Sequence, residues 1–183
     1  MNRHGRRANP TIVRNWIALA FAGAAMAAAG SKPPVQTVAE VDLKRYAGKW
    51  YEIARFPNWF QRSCSGDVSA TYTPRPDGKI TVLNECRTAE GKRRRATGSA
   101  RLADARGPAS RLKVTFFWPF SGDYWIIALD PDYRWAVVGA PGRDYLWFLS
   151  REPKVSEETW REMSERAAQQ GFEVDRLVRT KQG

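Results

Sequence analysis

Histidine is almost missing from this sequence: 183 residues contain one, His4. The chain beyond that first segment therefore has no imidazole for a catalytic triad, for general-base work or for the usual zinc sites. Cysteine is scarce as well. There are two, Cys64 and Cys86, and no Cys-x-x-Cys spacing that would mark a redox pair. No glycine-rich phosphate loop is present, because Gly139-Ala140-Pro141-Gly142 reads as a turn with no helix after it. The carboxylates Asp123, Asp130, Asp132 and Asp144 all fall at the ends of strand-like runs, where aspartate serves turn chemistry. These absences argue against an enzyme, and no metal or cofactor is expected. Acid is the minority charge, 19 residues against 30 Lys and Arg.

Aromatic residues are plentiful by contrast, with 8 Trp, 6 Tyr and 8 Phe, most of them between Trp50 and Trp160. Such a load suits a strand-rich core or an aromatic-lined ligand pocket.

Residues 1–29 stand apart. Arg3, Arg6, Arg7 and Arg14 make a basic start with no acid, an apolar run follows from Trp16 to Ala28, and Ala27-Ala28-Ala29 offers a cleavage site. This is the pattern of a secretory signal peptide, and an uncleaved N-terminal anchor is the other reading. Arg6-Arg7 fits twin-arginine export poorly, and no cysteine near the cleavage site could take a lipid anchor. Removing those four arginines lowers the formal charge from +11 to +7. Residues 30–40, with Pro33-Pro34, read as a flexible lead-in to one domain over 41–183.

From Gly48 onward, eight strand-like runs alternate with turn signals: 48–56, 67–73, 79–86, 93–102, 111–118, 123–129, 134–139 and 145–150. Their separators are rich in Pro, Gly and Asp, and almost no helix lies between them. That spacing predicts an all-β fold, an eight-stranded antiparallel up-and-down β-barrel whose interior is just wide enough for one small ligand. One α-helix follows, packed outside the barrel. Ser156 caps it, Glu157 and Glu158 suit its N-terminus, Trp160, Met163 and Ala167 form its apolar stripe, and Gly171 ends it. A short run, 174–178, is placed along an edge.

In a regular hairpin, opposed residue numbers have a constant sum. Setting the turn between Pro74 and Gly78 puts Thr71 opposite Lys79 and, on the same sum, Cys64 opposite Cys86. Facing strand positions suit a disulfide, and outside the cytosol a structural bridge is the expected use of such a pair, worth about 3 kcal/mol on the loop-entropy argument.

Lys92-Arg93-Arg94-Arg95 forms a basic run near Arg87. An exported chain has little use for nucleic acid, so the run reads either as a rim that meets an anionic membrane surface or as a solvated loop.

Gly48-x-Trp50 at the head of the first strand, Asp123-Tyr124 leading into the sixth, and Arg151 directly after the eighth resemble the three signatures of the lipocalins, with Gly122 where that family has threonine. GKWYEIARFPNWFQ, ATYTPRPDGKITVLN, WPFSGDYWIIALDPDYRWAVVG and GRDYLWFLSREP are similar to the apolipoprotein D-like subgroup and its bacterial members. The resemblance implies that Trp50 and Arg151 meet at the closed end as structural residues. It implies a fatty acid or lysophospholipid as ligand, and a periplasmic location associated with the outer membrane. The oligomeric state is left open.

Strand parity nominates the lining: Ala70 and Tyr72, Ile80 and Val82, Val114 and Phe116, Tyr124 and Ile126, then Tyr145 and Trp147, the last inside near the Arg151 end. Trp59 and Phe60, past Pro57, are expected to lid the open end. Two other classes stay in play: a lipocalin-fold isomerase or hydroperoxide reductase, and an interaction protein whose barrel is filled by its own side chains.

Overall fold

Period-two alternation with β-branched and aromatic residues builds most of the molecule. The structure, a computed structural model, describes Met1 and residues 32–183; all of the expected signal peptide, residues 1–29, except Met1 lies outside them. Eight strands run β1 (Gly48–Arg55), β2 (Gly66–Pro74), β3 (Ile80–Arg87), β4 (Arg93–Leu102), β5 (Arg111–Phe117), β6 (Phe120–Leu129), β7 (Trp135–Gly139) and β8 (Leu146–Ser150). Each pairs antiparallel with the next, and β1 closes the ring by pairing with both β2 and β8. The barrel has no free edge for most of its length.

Among the described residues, two α-helices flank it. α1 (Leu43–Tyr46) is one turn, capped by Asp42, whose carboxylate accepts from the Lys44 and Arg45 amides. α2 (Glu157–Gln169) starts at Ser156, whose hydroxyl accepts from Thr159 N–H, and buries Met163 and Ala167. The apolar residues form two cores. One fills the barrel around Trp50, Tyr72, Leu112, Ile126 and Leu149. The other lies between the outer wall and α2, where Ile53, Val137 and Phe148 meet Met163, Ala167 and Phe172.

Bulges in β1 between Glu52 and Ala54, and in β6 between Ile126 and Ala128, decide which side chains go where. Each inserts one residue and turns the following positions to the other face. Ile53 and Ala54 consequently both serve the outer core, as do Ile127 and Ala128.

Three features depart from expectation. The lead-in is tied down: Val35 is buried, Val38 N–H donates to the Ile126 carbonyl at 3.0 Å, and Gln36 N–H donates to the Gln170 side chain at 2.9 Å. In the β2–β3 hairpin Thr71 faces Leu83, not Lys79, because the turn bonds Arg75 N–H to the Lys79 carbonyl and centres further along the chain. Cys64 is therefore off the ladder, in the loop before β2. It reaches Cys86 because Cys64 N–H bonds to Gln61 O and Ser65 N–H bonds to Arg87 O, folding the loop back onto β3. The bridge forms with Cα atoms 5.6 Å apart.

The third departure is in the C-terminal segment, where the run 174–178 expected along an edge is a 3-10 turn over Val174–Arg176 and edge pairing begins only at Val178. β2 holds one edge of β1 over residues 48–51, and a ninth short strand, β9 (Val178–Arg179), takes that edge at Ala54 and Arg55. Beyond it, Asp67 N–H donates to Lys181 O at 2.8 Å, and Gln182 Nε2 donates to the carbonyls of Glu52 and Val68 at 2.7 and 2.9 Å. The final residues thus fill the gap where β1 and β2 splay apart.

Candidate functional site

Strand direction gives the barrel two unlike ends. β1 begins at the end sealed by α1. There Trp50 is wholly buried and its Nε1–H donates to Tyr46 O at 2.8 Å. The Arg151 guanidinium lies over the indole, 3.9 Å from its centroid, and donates to the carbonyls of Lys49 (2.9 Å), Arg45 (2.7 Å) and Tyr133 (3.3 Å). Gly48 carries φ +92°, a conformation in which a side chain would be strained, and a Cβ there would touch Arg151 Nη1 at 3.4 Å. Asp123, from the second signature, faces outward and pairs with Lys113 at 2.8 Å.

Above this floor three phenols meet. The Tyr124 hydroxyl lies 2.8 Å from both the Tyr46 and the Tyr72 hydroxyls. Three O–H groups share two hydrogen bonds, so one hydrogen remains for a further acceptor. Burial of the hydroxyl ends pushes all three phenols up, Tyr72 to about 12 and the other two well above the ordinary phenol value. The folded values exceed the unfolded value of about 10, so the cluster's stabilisation is complete below that pH and declines as pH rises through 12. In an alkaline titration followed by tyrosinate absorbance, these three residues should ionise together with unfolding. Ionisation of all six tyrosines of the intact fold near pH 10 would show the cluster to be open to solvent.

The expected lining residues Ala70, Tyr72, Ile80, Val82, Val114, Phe116, Tyr124, Ile126 and Trp147 all belong to the inner core. Burial divides them by height. Tyr72, Ile80, Val82 and Ile126, on the floor side, are buried, whereas Ala70, Val114, Phe116, Tyr124 and Trp147 keep partial exposure although they face inward. The lower half is thus packed shut by its own side chains, and the upper half is reached from one end.

That end is the mouth. Tyr145 and Trp147 stack in parallel with centroids 5.7 Å apart, and Phe60 sits on both at 5.8 and 6.4 Å. Trp147 lies further from the closed end than expected, paired with Arg55 near the top of β1. Trp59 packs edge-on against Phe60 at 5.6 Å but stays largely exposed, so of the expected lid pair only Phe60 reaches the interior aromatics. Trp147 Nε1 donates to Gln61 Oε1 at 3.1 Å.

Glu52, Arg55 and Tyr46 are absent from the expected lining. Glu52 pairs with Leu149 and Arg55 with Trp147, both inward residues, so the two charges face inward as well. The signal was present in the sequence, since the alternation that points Trp50 inward also points Glu52 inward. Glu52 is bonded through both oxygens: Oε1 accepts from Arg55 Nη1 at 2.8 Å and Thr180 Oγ1 at 2.5 Å, and Oε2 from Gln61 Nε2 at 2.7 Å. Among the described residues there is no His/Cys/Asp/Glu cluster able to hold a metal, and both cysteines are bridged.

The profile of the family described as "Lipocalin-like domain" matches residues 41–182. Outer membrane lipoprotein Blc of Escherichia coli (strain K12) is 44% identical over 156 residues, 84% of this chain and 87% of its own. Temperature-induced lipocalin-1 of Arabidopsis thaliana is 42% identical over 158 residues, covering 82% and 84%. Apolipoprotein D of Bos taurus is 31% identical over 158 residues, covering 82% and 80%. Among solved structures, insecticyanin of the tobacco hornworm Manduca sexta superposes with TM-score 0.67 at 20% identity, over 83% of this chain and 86% of that one, a likeness of fold alone. With its barrel, its Trp50–Arg151 floor and its matching relatives, the chain belongs to the lipocalin family.

Proposed function

We propose that this chain binds one acyl lipid, of fatty acid or lysophospholipid class, in the upper half of its barrel and exchanges it at an anionic membrane surface. Binding is the whole of the proposed activity; no bond is made or broken. The observation that carries it is the partial exposure of inward-facing Val114, Phe116, Tyr124 and Trp147 above a sealed floor. Apolar side chains open to water gain about 25 cal/mol per Å² when an acyl chain covers them. Relatives named as outer membrane lipoproteins support a location outside the cytoplasm, at that membrane. In equilibrium dialysis against labelled lysophospholipid, one molecule should bind per chain, and palmitic acid should displace it. Absence of saturable binding would rule the proposal out.

Membrane contact rests on the tips of the mouth loops. Phe117, Trp118 and Phe120 are 73%, 89% and 78% exposed. Arg62, Arg87, Lys92, Arg93 and Arg94, at the same end, are exposed as well. Aromatic rings over a basic rim suit the headgroup layer of an anionic bilayer. Replacing Trp118 and Phe120 by serine should weaken co-sedimentation with phosphatidylglycerol-containing vesicles by about tenfold. Added salt should weaken the native protein's binding too. Unchanged partitioning of the serine variant would remove the mouth from the contact.

A further inference from the structure

Arginine offers a carboxylate two parallel N–H groups along its Nε/Nη2 edge. This chain uses that edge in the open: Arg134 holds Asp130 with Nε to Oδ2 at 3.0 Å and Nη2 to Oδ1 at 2.8 Å. Arg151 commits all three of its nitrogens to carbonyls. Arg55 does neither. Its Nη1 is taken by Glu52 at 2.8 Å and Thr180 at 3.3 Å. Its Nε is buried with no partner, and its Nη2 makes no hydrogen bond to another described residue.

The position of this vacant edge gives it meaning. Arg55 faces the barrel interior beside Trp147, with its side chain 14% exposed, at the height where the acyl-binding half opens to the mouth. A buried donor without an acceptor is costly, and the cost is greater for a charged group. Glu52 does not relieve it, because the bond it accepts from Arg55 comes from Nη1, and its other bonds come from Gln61 and Thr180. The cationic rim of Arg62, Arg87 and Arg94 also favours negative charge arriving from the mouth.

We infer that the Nε/Nη2 edge of Arg55 is a receptor for an oxyanion, the carboxylate or phosphate of the ligand, just inside the mouth of the barrel. This rests on the carrier reading above and narrows it to acidic lipids. The chain of the ligand lies on Val114, Phe116 and Trp147, and its head turns back to Arg55 beneath Gln61. Thr180 and Gln182 hold the Glu52–Arg55 pair in place from the C-terminal segment.

The test compares palmitic acid with 1-hexadecanol, equal in chain length and lacking only the charge, by calorimetric titration of the full chain. The acid should bind about tenfold to a hundredfold more tightly than the alcohol. Arg55→Gln should erase that preference, bringing the ratio of acid to alcohol affinity to about one, and Arg55→Lys should restore only part of it. Should Arg55→Gln fail to fold because Glu52 is left unpaired, the double variant Glu52→Gln, Arg55→Gln removes both charges, and the comparison on the native protein needs no variant. Equal affinities of acid and alcohol overturn the inference and leave the carrier reading intact. If neither ligand binds, the carrier reading falls and the inference falls with it. Inorganic phosphate supplies the other arm. If it raises the melting temperature of the native protein but not of Arg55→Gln, with no preference for acid over alcohol, the edge serves a free anion and the assignment to a lipid head is wrong.

Discussion

Trp50→Ala is expected to remove about 3–5 kcal/mol of folding stability, the range for truncating a fully buried tryptophan. Several losses coincide at this one residue. The indole fills the floor of the barrel, its Nε1–H satisfies the Tyr46 carbonyl, the Tyr46 ring packs against it at a tilt with centroids 4.8 Å apart, and Arg151 covers it at 3.9 Å. Truncation would leave a cavity, an unpaired carbonyl and a cation without its ring. Domains of this size hold about 5–15 kcal/mol in all, so the variant should sit near the edge of folding. Urea denaturation is the measurement, read as a fall in midpoint at constant slope. A loss below about 1 kcal/mol would mean that the floor relaxes to fill the space and that the Trp50–Arg151 contact is not what seals the closed end.

Ala70→Trp should leave the barrel folded and abolish most lipid binding. Ala70 faces inward opposite Trp50, and it is partly exposed where Trp50 is not, so it marks the boundary between filled and open interior. An indole at this position occupies the space of roughly four or five methylenes of an acyl chain. At about 0.8 kcal/mol per methylene that costs about 3–4 kcal/mol, or a hundredfold to a thousandfold in affinity. The variant must keep its near-ultraviolet circular dichroism and melting temperature for the result to count, since overpacking also destabilises. An Ala70→Trp protein that binds palmitic acid normally would place the ligand outside the barrel.

Most of the fold is legible in the sequence because its physics is local. Alternation and turn residues place all eight strands, and Ser156, Met163, Ala167 and Gly171 mark α2 and its buried face. Parity also brings nine expected lining residues to the inner core, because the β6 bulge falls just after Ile126 and spares Tyr124 and Ile126. What escapes is non-local. The centre of the Pro74–Lys79 turn depends on which amide reaches which carbonyl, so the hairpin register is misplaced even though Cys64 does find Cys86. The docking of residues 32–40, and of the C-terminal segment between β1 and β2, depends on surfaces that exist only once the barrel has closed. Glu52 and Arg55 escape for another reason: charged residues in an alternating run read as solvent-facing, yet here they pair with each other inside.

The central claim is that the upper barrel holds a lipid. The most direct test is native mass spectrometry of the protein purified from its own source, followed by solvent extraction, with titration of the stripped protein by fatty acid under tryptophan fluorescence. The account predicts one lipid-mass adduct per chain, recovery of an acidic acyl lipid in the extract, and saturable quenching as Trp147 is covered. A bare mass, an empty extract and no quenching would contradict it, and would make the barrel a scaffold filled by its own side chains.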